Sequence, residues 1–99
     1  MRLRVTRRAA TQIAKALEYI EADSPQGANH VRERIQTLFR LLEQHPYAGQ
    51  ATDLPGVRRL TLSPYPYLIF YRVTGDGVIV QRMRHTSRRP LSGSGGTTP

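Results

Sequence analysis

The chain contains no cysteine, which excludes disulfides and a thiol nucleophile and suits a reducing cytosol. Long apolar runs are missing too. The longest, Tyr67 to Tyr71, falls far short of the ~20 residues that span a bilayer. The N-terminus MRLRVTRRAA is basic but lacks the ~7–15-residue apolar stretch of a secretory leader. The expected compartment is therefore the cytoplasm, with no membrane partner. Lysine is almost absent: of 15 basic residues only Lys15 is not arginine. Planar guanidinium groups recognise carboxylates and phosphates bidentately, which points to acidic protein or nucleic acid as partner. Acids are scarce as well, 7 against those 15, for a formal net charge of +8.

What charge there is lies unevenly. Residues 1–8 hold four arginines and no acid, a net +4. Residues 9–53 hold four basic and six acidic residues, a net −2. Residues 54–99 hold seven arginines and one acid, Asp76, a net +6. Fold stability does not require such a separation, so it is a functional clue.

Ninety-nine residues make one domain with a modest core. Arg2–Val5 alternates polar and apolar residues, as a half-buried strand does. Thr6 can cap a helix whose apolar face is Ala10, Ile13, Leu17 and Ile20. Ser24-Pro25 starts a second helix, with a capping serine and proline at its first position. Its stripe is Ala28, Val31, Ile35, Leu38 and Leu42, and Pro46 stops it by His45. So short a link makes an antiparallel helical hairpin. Residues 46–56 read as a connector and Val57–Leu62 as a strand. Ser63-Pro64-Tyr65-Pro66 is a turn, because two prolines cannot serve a central ladder. Tyr67–Val73 is a strand apolar on both faces, and so central. Gly75-Asp76-Gly77 is a hairpin turn before a last strand, Val78–His85.

The expected fold is α+β, in the order β-α-α-β-β-β. The helical hairpin packs on one face of a mostly antiparallel four-stranded sheet. Residues 1–90 form the domain, and the Gly/Ser-rich residues 91–99 a disordered tail. Period-2 alternation then divides the sheet. Leu3, Val5, Leu60, Leu62, Tyr67, Ile69, Tyr71, Val73, Ile79 and Met83 are expected under the helices. Arg2, Arg4, Arg59, Leu68, Phe70, Arg72, Val78, Val80, Arg82 and Arg84 are expected on the open face. That face would be apolar in its middle and cationic around it, the pattern of an interface.

Chemical motifs are few. His30, His45 and His85 share no metal-ligand spacing, and neither a metal nor a cofactor is expected. No phosphate-binding glycine loop or G-x-S-x-G elbow occurs. The glutamates fall on helix faces among arginines, and Asp53 and Asp76 in turns. His85 has two readings: a general acid or base beside Arg84, or a ring bonded to backbone at a strand end.

The stretch TRRAA at 6–10, HPYAGQ at 45–50, LPGVRRL at 54–60, YPYLIFYRV at 65–73 and VIVQRMRHTSRR at 78–89 come in an order and spacing that resembles the ParE branch of the RelE/ParE superfamily. These are toxins of type II toxin–antitoxin, or plasmid stabilisation, modules. The resemblance spans Arg2 to about Pro90 and implies the β-α-α-β-β-β fold. It also implies a cognate acidic antitoxin, similar to ParD, in a toxin–antitoxin hetero-oligomer. ParE-like members inhibit DNA gyrase, whereas RelE-like members cleave mRNA on the ribosome. RelE-like toxins often place arginine just before a motif such as IFY, and here that position is Leu68. No tyrosine follows Tyr71 and no lysine follows Lys15. Cleavage needs proton transfer or strong charge stabilisation, and only His85 could carry a proton.

Gyrase inhibition by a non-enzymatic toxin is therefore the expected function, with no catalytic residue. The alternative is a ribosome-dependent mRNA endonuclease using Arg82, Arg84 and His85. A plain nucleic-acid-binding module ranks last, since neither helix is strongly basic, and direct sequence-specific DNA binding is not expected. Residues expected to meet the target or the antitoxin are Arg58, Arg59, Leu68, Phe70, Arg72, Arg82, Arg84, His85, Arg88 and Arg89.

Overall fold

A computed structural model of the chain describes residues 2–87. Arg88, Arg89 and the Gly/Ser-rich tail lie outside the described residues. Two hydroxyls set the helices. Thr6 Oγ1 accepts the Ala9 N–H at 3.1 Å and opens α1 (Arg7–Asp23). Ser24 works at both sides of a junction. Its N–H closes α1 on Ile20 O at 2.7 Å, and its Oγ accepts from Gly27 N at 2.9 Å to open α2 (Pro25–Gln44). Each cap satisfies a donor that the first helical turn leaves free.

The α2 stripe of Ala28, Val31, Ile35, Leu38 and Leu42 is buried as its spacing predicts. In α1 the buried alanine is Ala9, not Ala10, which is exposed. Ile13, Leu17 and Ile20 pack beside it against the core.

The strands are β1 (Arg2–Val5), β2 (Gln50–Ala51), β3 (Val57–Thr61), β4 (Tyr67–Val73) and β5 (Gly77–His85). They form one sheet in the order β1-β5-β4-β3-β2. Pairing is antiparallel except between β1 and β5. The α+β architecture and the mostly antiparallel sheet agree with the sequence reading, but there are five strands rather than four. The extra one is the pair Gln50–Ala51 inside the expected connector, bound to Arg59 and Arg58 of β3. Only a local edge pairing makes it a strand, and no alternation announces so short an element.

Gly77 is needed where β1 meets β5, because a Cβ there would collide with the Arg2 carbonyl oxygen. Thr74 and Gly77 exchange backbone hydrogen bonds around the turn between β4 and β5, at 2.7 and 3.3 Å.

One face of the sheet packs under the helices. Leu62, Tyr67, Ile69, Tyr71, Val78, Val80 and Met83 join Ala9, Val31, Ile35, Leu38 and Leu42 in the main core, with Leu3, Leu60 and Val73 packed against it. The expectation for β5 was wrong in its first half. Val78 and Val80 face the helices, and Ile79, paired with Arg72, faces away. The cause is a bulge: Phe70 pairs with Arg82 and Tyr71 with Val80, so Gln81 is the extra residue. One inserted residue reverses the facing of everything on one side of it. Val5 lies near the sheet edge and stays 37% exposed rather than becoming core.

Candidate functional site: an arginine-roofed sheet face

The face turned away from the helices has its own small cluster, Val57, Leu68 and Phe70. Pairing sets these side chains among cations. Leu68 is opposite Arg84, Phe70 opposite both Arg59 and Arg82, and Arg72 opposite Val57 and Ile79. The expected apolar patch is not open, however. Val57, Leu68 and Phe70 are only 6–8% exposed. The Arg82 guanidinium carbon lies 4.6 Å from the Phe70 ring centroid and that of Arg84 5.6 Å. Arginine stems cover apolar surface while their heads reach water, and the ring face attracts the cation. This face presents guanidinium, with the apolar trio beneath it.

The electrostatics of this roof are unrelieved. Desolvation lowers the Arg82 pKa first, and the nearby charges of Arg8 and Arg84 lower it further. Arg84 Nε is shut off from solvent and has no hydrogen-bond partner. Arg8 was not singled out from the sequence. It comes into reach because the start of α1 is pinned to the bulge: Thr6 N donates to Val80 O and Thr6 Oγ1 to Gln81 O, both at 3.0 Å. The available signal was its place in the acid-free N-terminal segment.

The other expected site residues divide. Arg59, Leu68, Phe70, Arg72, Arg82 and Arg84 are brought together on the open face. Arg58 is opposite Tyr71 and therefore on the helix side. Its Nη1 donates to Gly49 O at 2.7 Å, and its guanidinium sits 5.0 Å from the Tyr47 ring centroid. That side chain holds the loop before β2, alongside the Tyr71 hydroxyl, which accepts the Gly49 N–H at 2.8 Å.

The His85 ring turns to the helix side, while its carbonyl accepts from Arg84 Nη1 at 3.5 Å. That ring packs edge-on to Tyr67, a helix-side residue, at 5.2 Å between centroids. Its Nδ1 accepts the Ser87 backbone N–H at 3.1 Å and contacts Ser87 Oγ at 2.8 Å. It borders a groove of about 400 Å³ between α1 and the end of β5, lined also by Gln12, Lys15, Ala16, Tyr19, Tyr67, Met83 and Arg84. Among the described residues no cluster of three or more histidine, cysteine or carboxylate residues could hold a metal. No described helix is long and apolar enough to cross a membrane.

Three comparisons bear on identity. The family model for the ParE toxin of type II toxin–antitoxin system, parDE, matches residues 3–90. A protein of Sinorhizobium fredii (strain NBRC 101917 / NGR234), named "Putative toxin Y4kP", is 34% identical over 89 residues, 90% of this chain and 93% of that one. A solved structure titled "Chromosomal ParDE TA system from P. aeruginosa" superposes with a TM-score of 0.76 at 29% identity, covering 88% of this chain and 97% of that chain. A match over nearly the whole domain, in sequence and in fold, places this chain in the ParE toxin family of type II toxin–antitoxin systems.

Proposed function

We propose that this ParE-family toxin acts by binding DNA gyrase, interrupting replication until a cognate acidic antitoxin covers it. The supporting observation is the division of the residues that a nuclease would need. Arg82 and Arg84 lie over Phe70 on the open face, while the His85 ring packs on Tyr67 on the helix side. A proton carrier must come within about 2.6–3.2 Å of the atom it serves, directly or through one water. Arg82 over one face and the His85 ring on the other favour a binding surface over a phosphodiester-cleaving centre, while Arg84 and Lys15 border the groove that His85 lines and are the cations the endonuclease reading would use. The cytoplasm, where gyrase works, is the compartment that goes with this reading.

Gyrase supercoiling with the purified full chain is the test. Inhibition at micromolar protein, released by adding the antitoxin, is the expected result. Absence of inhibition refutes the gyrase target. Codon-position cleavage of mRNA on translating ribosomes would replace it with the endonuclease reading.

A further inference from the structure

The chain leaves the sheet at the end of β5 through contacts that one histidine ring controls. Thr86 N–H still reaches the sheet, on Pro66 O at 2.8 Å. The next amide does not: Ser87 N–H turns to His85 Nδ1 at 3.1 Å. A backbone N–H can only donate, so Nδ1 is an unprotonated acceptor and the ring is neutral, with its proton on Nε2. Ser87 Oγ, 2.8 Å from the same nitrogen, is then a second donor to it. The ring is steadied edge-on against Tyr67, which is also the strand partner of His85. A ring fixed on the last ladder pair thus holds the first residue whose amide the sheet does not. No neighbour of the ring can replace that acceptor. On β4 it meets Tyr67, on α1 Lys15 and Tyr19 line the groove it borders, and on β5 Arg84 precedes it. Gln12 is uncharged, and its Oε1 is engaged by Met83 N at 2.8 Å. No carboxylate lines that groove.

We propose that His85 is a proton-gated clasp on the chain leaving β5, closed on the Ser87 N–H while the imidazole is neutral and open once it is charged. Protonation places a hydrogen on Nδ1, so that two donors face each other where one bond stood. The Ser87 hydroxyl can turn round and accept from Nδ1–H, but the amide cannot, so the backbone bond is the one that breaks. The charged ring finds no carboxylate in the groove to take up its N–H, and nothing new locks the segment in place. The sign follows: the bond is present at higher pH and is lost as pH falls through protonation of the ring. Imidazole is the side chain that changes charge between about pH 5 and 8, so the clasp works near neutrality. From Ser87 the chain continues into Arg88 and Arg89, and the clasp sets the direction in which it does so. The device does not depend on which macromolecule the toxin inhibits.

The test is nitrogen NMR of the full chain, followed from about pH 8 to about pH 5, the range in which imidazole changes charge. At the alkaline end His85 Nδ1 should show the resonance of an acceptor nitrogen and Nε2 that of a protonated one. As pH falls, the Ser87 amide signal should move with the same midpoint as the His85 ring. Hydrogen-exchange protection of that amide should drop about fivefold, the worth of one ordinary hydrogen bond. His85→Phe keeps an aromatic ring beside Tyr67 but removes the acceptor. Its Ser87 amide should sit in the low-pH position throughout and ignore pH. Ser87→Ala keeps the backbone donor and should keep the response at residue 87. Unchanged Val80 and Met83 amide signals show that each variant is folded. A ring protonated on Nδ1 at the alkaline end overturns the clasp, and so does a Ser87 response that survives in His85→Phe. Loss of the response in Ser87→Ala assigns the effect to the hydroxyl and overturns it as well. The tautomer is read in wild type, so the proposal can be refuted even if His85→Phe does not fold.

Discussion

The two faces of one sheet solve opposite problems with similar residues. Under the helices, β4 and β5 present Ile69, Tyr71, Val78 and Val80, all at most 1% exposed, and the one hydroxyl among them is paired with Gly49 N. On the far face the same strands present Leu68 and Phe70, and they are covered by side chains instead of by a helix. The first arrangement is closed and self-satisfied. Among the described residues the second pairs its arginines with no carboxylate. The contrast separates residues that hold the fold from residues that the proposed function assigns to a partner, and substitutions should divide along it.

The largest effects belong to the closed face. Leu42→Ala removes a fully buried side chain of α2 and should destabilise by about 2–5 kcal/mol through lost burial and the cavity left behind. Arg72→Ala, on the open face, should stay within about 1 kcal/mol, as surface substitutions do. Denaturant unfolding of both proteins measures the difference. Equal losses would mean that the roof is part of the fold and would erase the contrast.

Tyr71→Phe comes next. It strands the Gly49 N–H in a buried site, at a cost of about 1–3 kcal/mol. It also carries a pH signature. Burial raises the Tyr71 pKa above its usual 10.0, partly offset by the Gly49 hydrogen bond and then by the Arg58 charge. A raised pKa means that the folded state prefers the protonated phenol. Its contribution is complete below pH 10.0 and is lost as pH climbs through the folded value. Wild type should therefore lose stability on the alkaline side of that point, and Tyr71→Phe should flatten this limb while lowering stability at neutral pH. Parallel alkaline limbs in the two proteins would show that Tyr71 does not govern it.

Much of this division was legible in the sequence. The caps at Thr6 and Ser24, the α2 stripe and the two-sided β4 follow from local chemistry that the tertiary structure does not override. The failures are equally physical. A bulge at Gln81 leaves no mark in an apolar run such as VIV, so Val78, Ile79 and Val80 were assigned to the wrong faces. The roof over Phe70 was invisible because alternation tells which way an arginine leaves the sheet, not where its stem folds down. Arg58 and His85 were grouped with the open-face arginines because strand-end neighbours look alike in a string. The bulge itself can be checked. Val80→Thr buries a hydroxyl in the main core and should cost about 1–2 kcal/mol, while Ile79→Thr should cost less than about 1 kcal/mol at its open-face position. Thermal unfolding with the reverse order would restore unbroken alternation.

The smallest effect is the most diagnostic of the roof. Arg82→Met keeps an apolar stem over Phe70 but gives up a cation–ring contact worth about 0.5–1 kcal/mol. It also removes repulsion from Arg8 and Arg84, so the two changes should nearly cancel and leave neutral-pH stability almost unaltered. Acidity cannot expose the balance. A lowered guanidinium pKa makes charging Arg82 unfavourable in the fold, and the penalty is constant wherever arginine is protonated in both states, which includes the whole neutral range. Salt can expose it. Between ~0.1 and ~1 M the screening length falls from about 10 to 3 Å, which weakens repulsion among the three arginines. Wild type should gain more stability across that range than Arg82→Met, measured by thermal unfolding in sodium chloride. Identical salt responses would mean that the cluster is not under electrostatic strain and that its arginines are stable neighbours without a counter-ion.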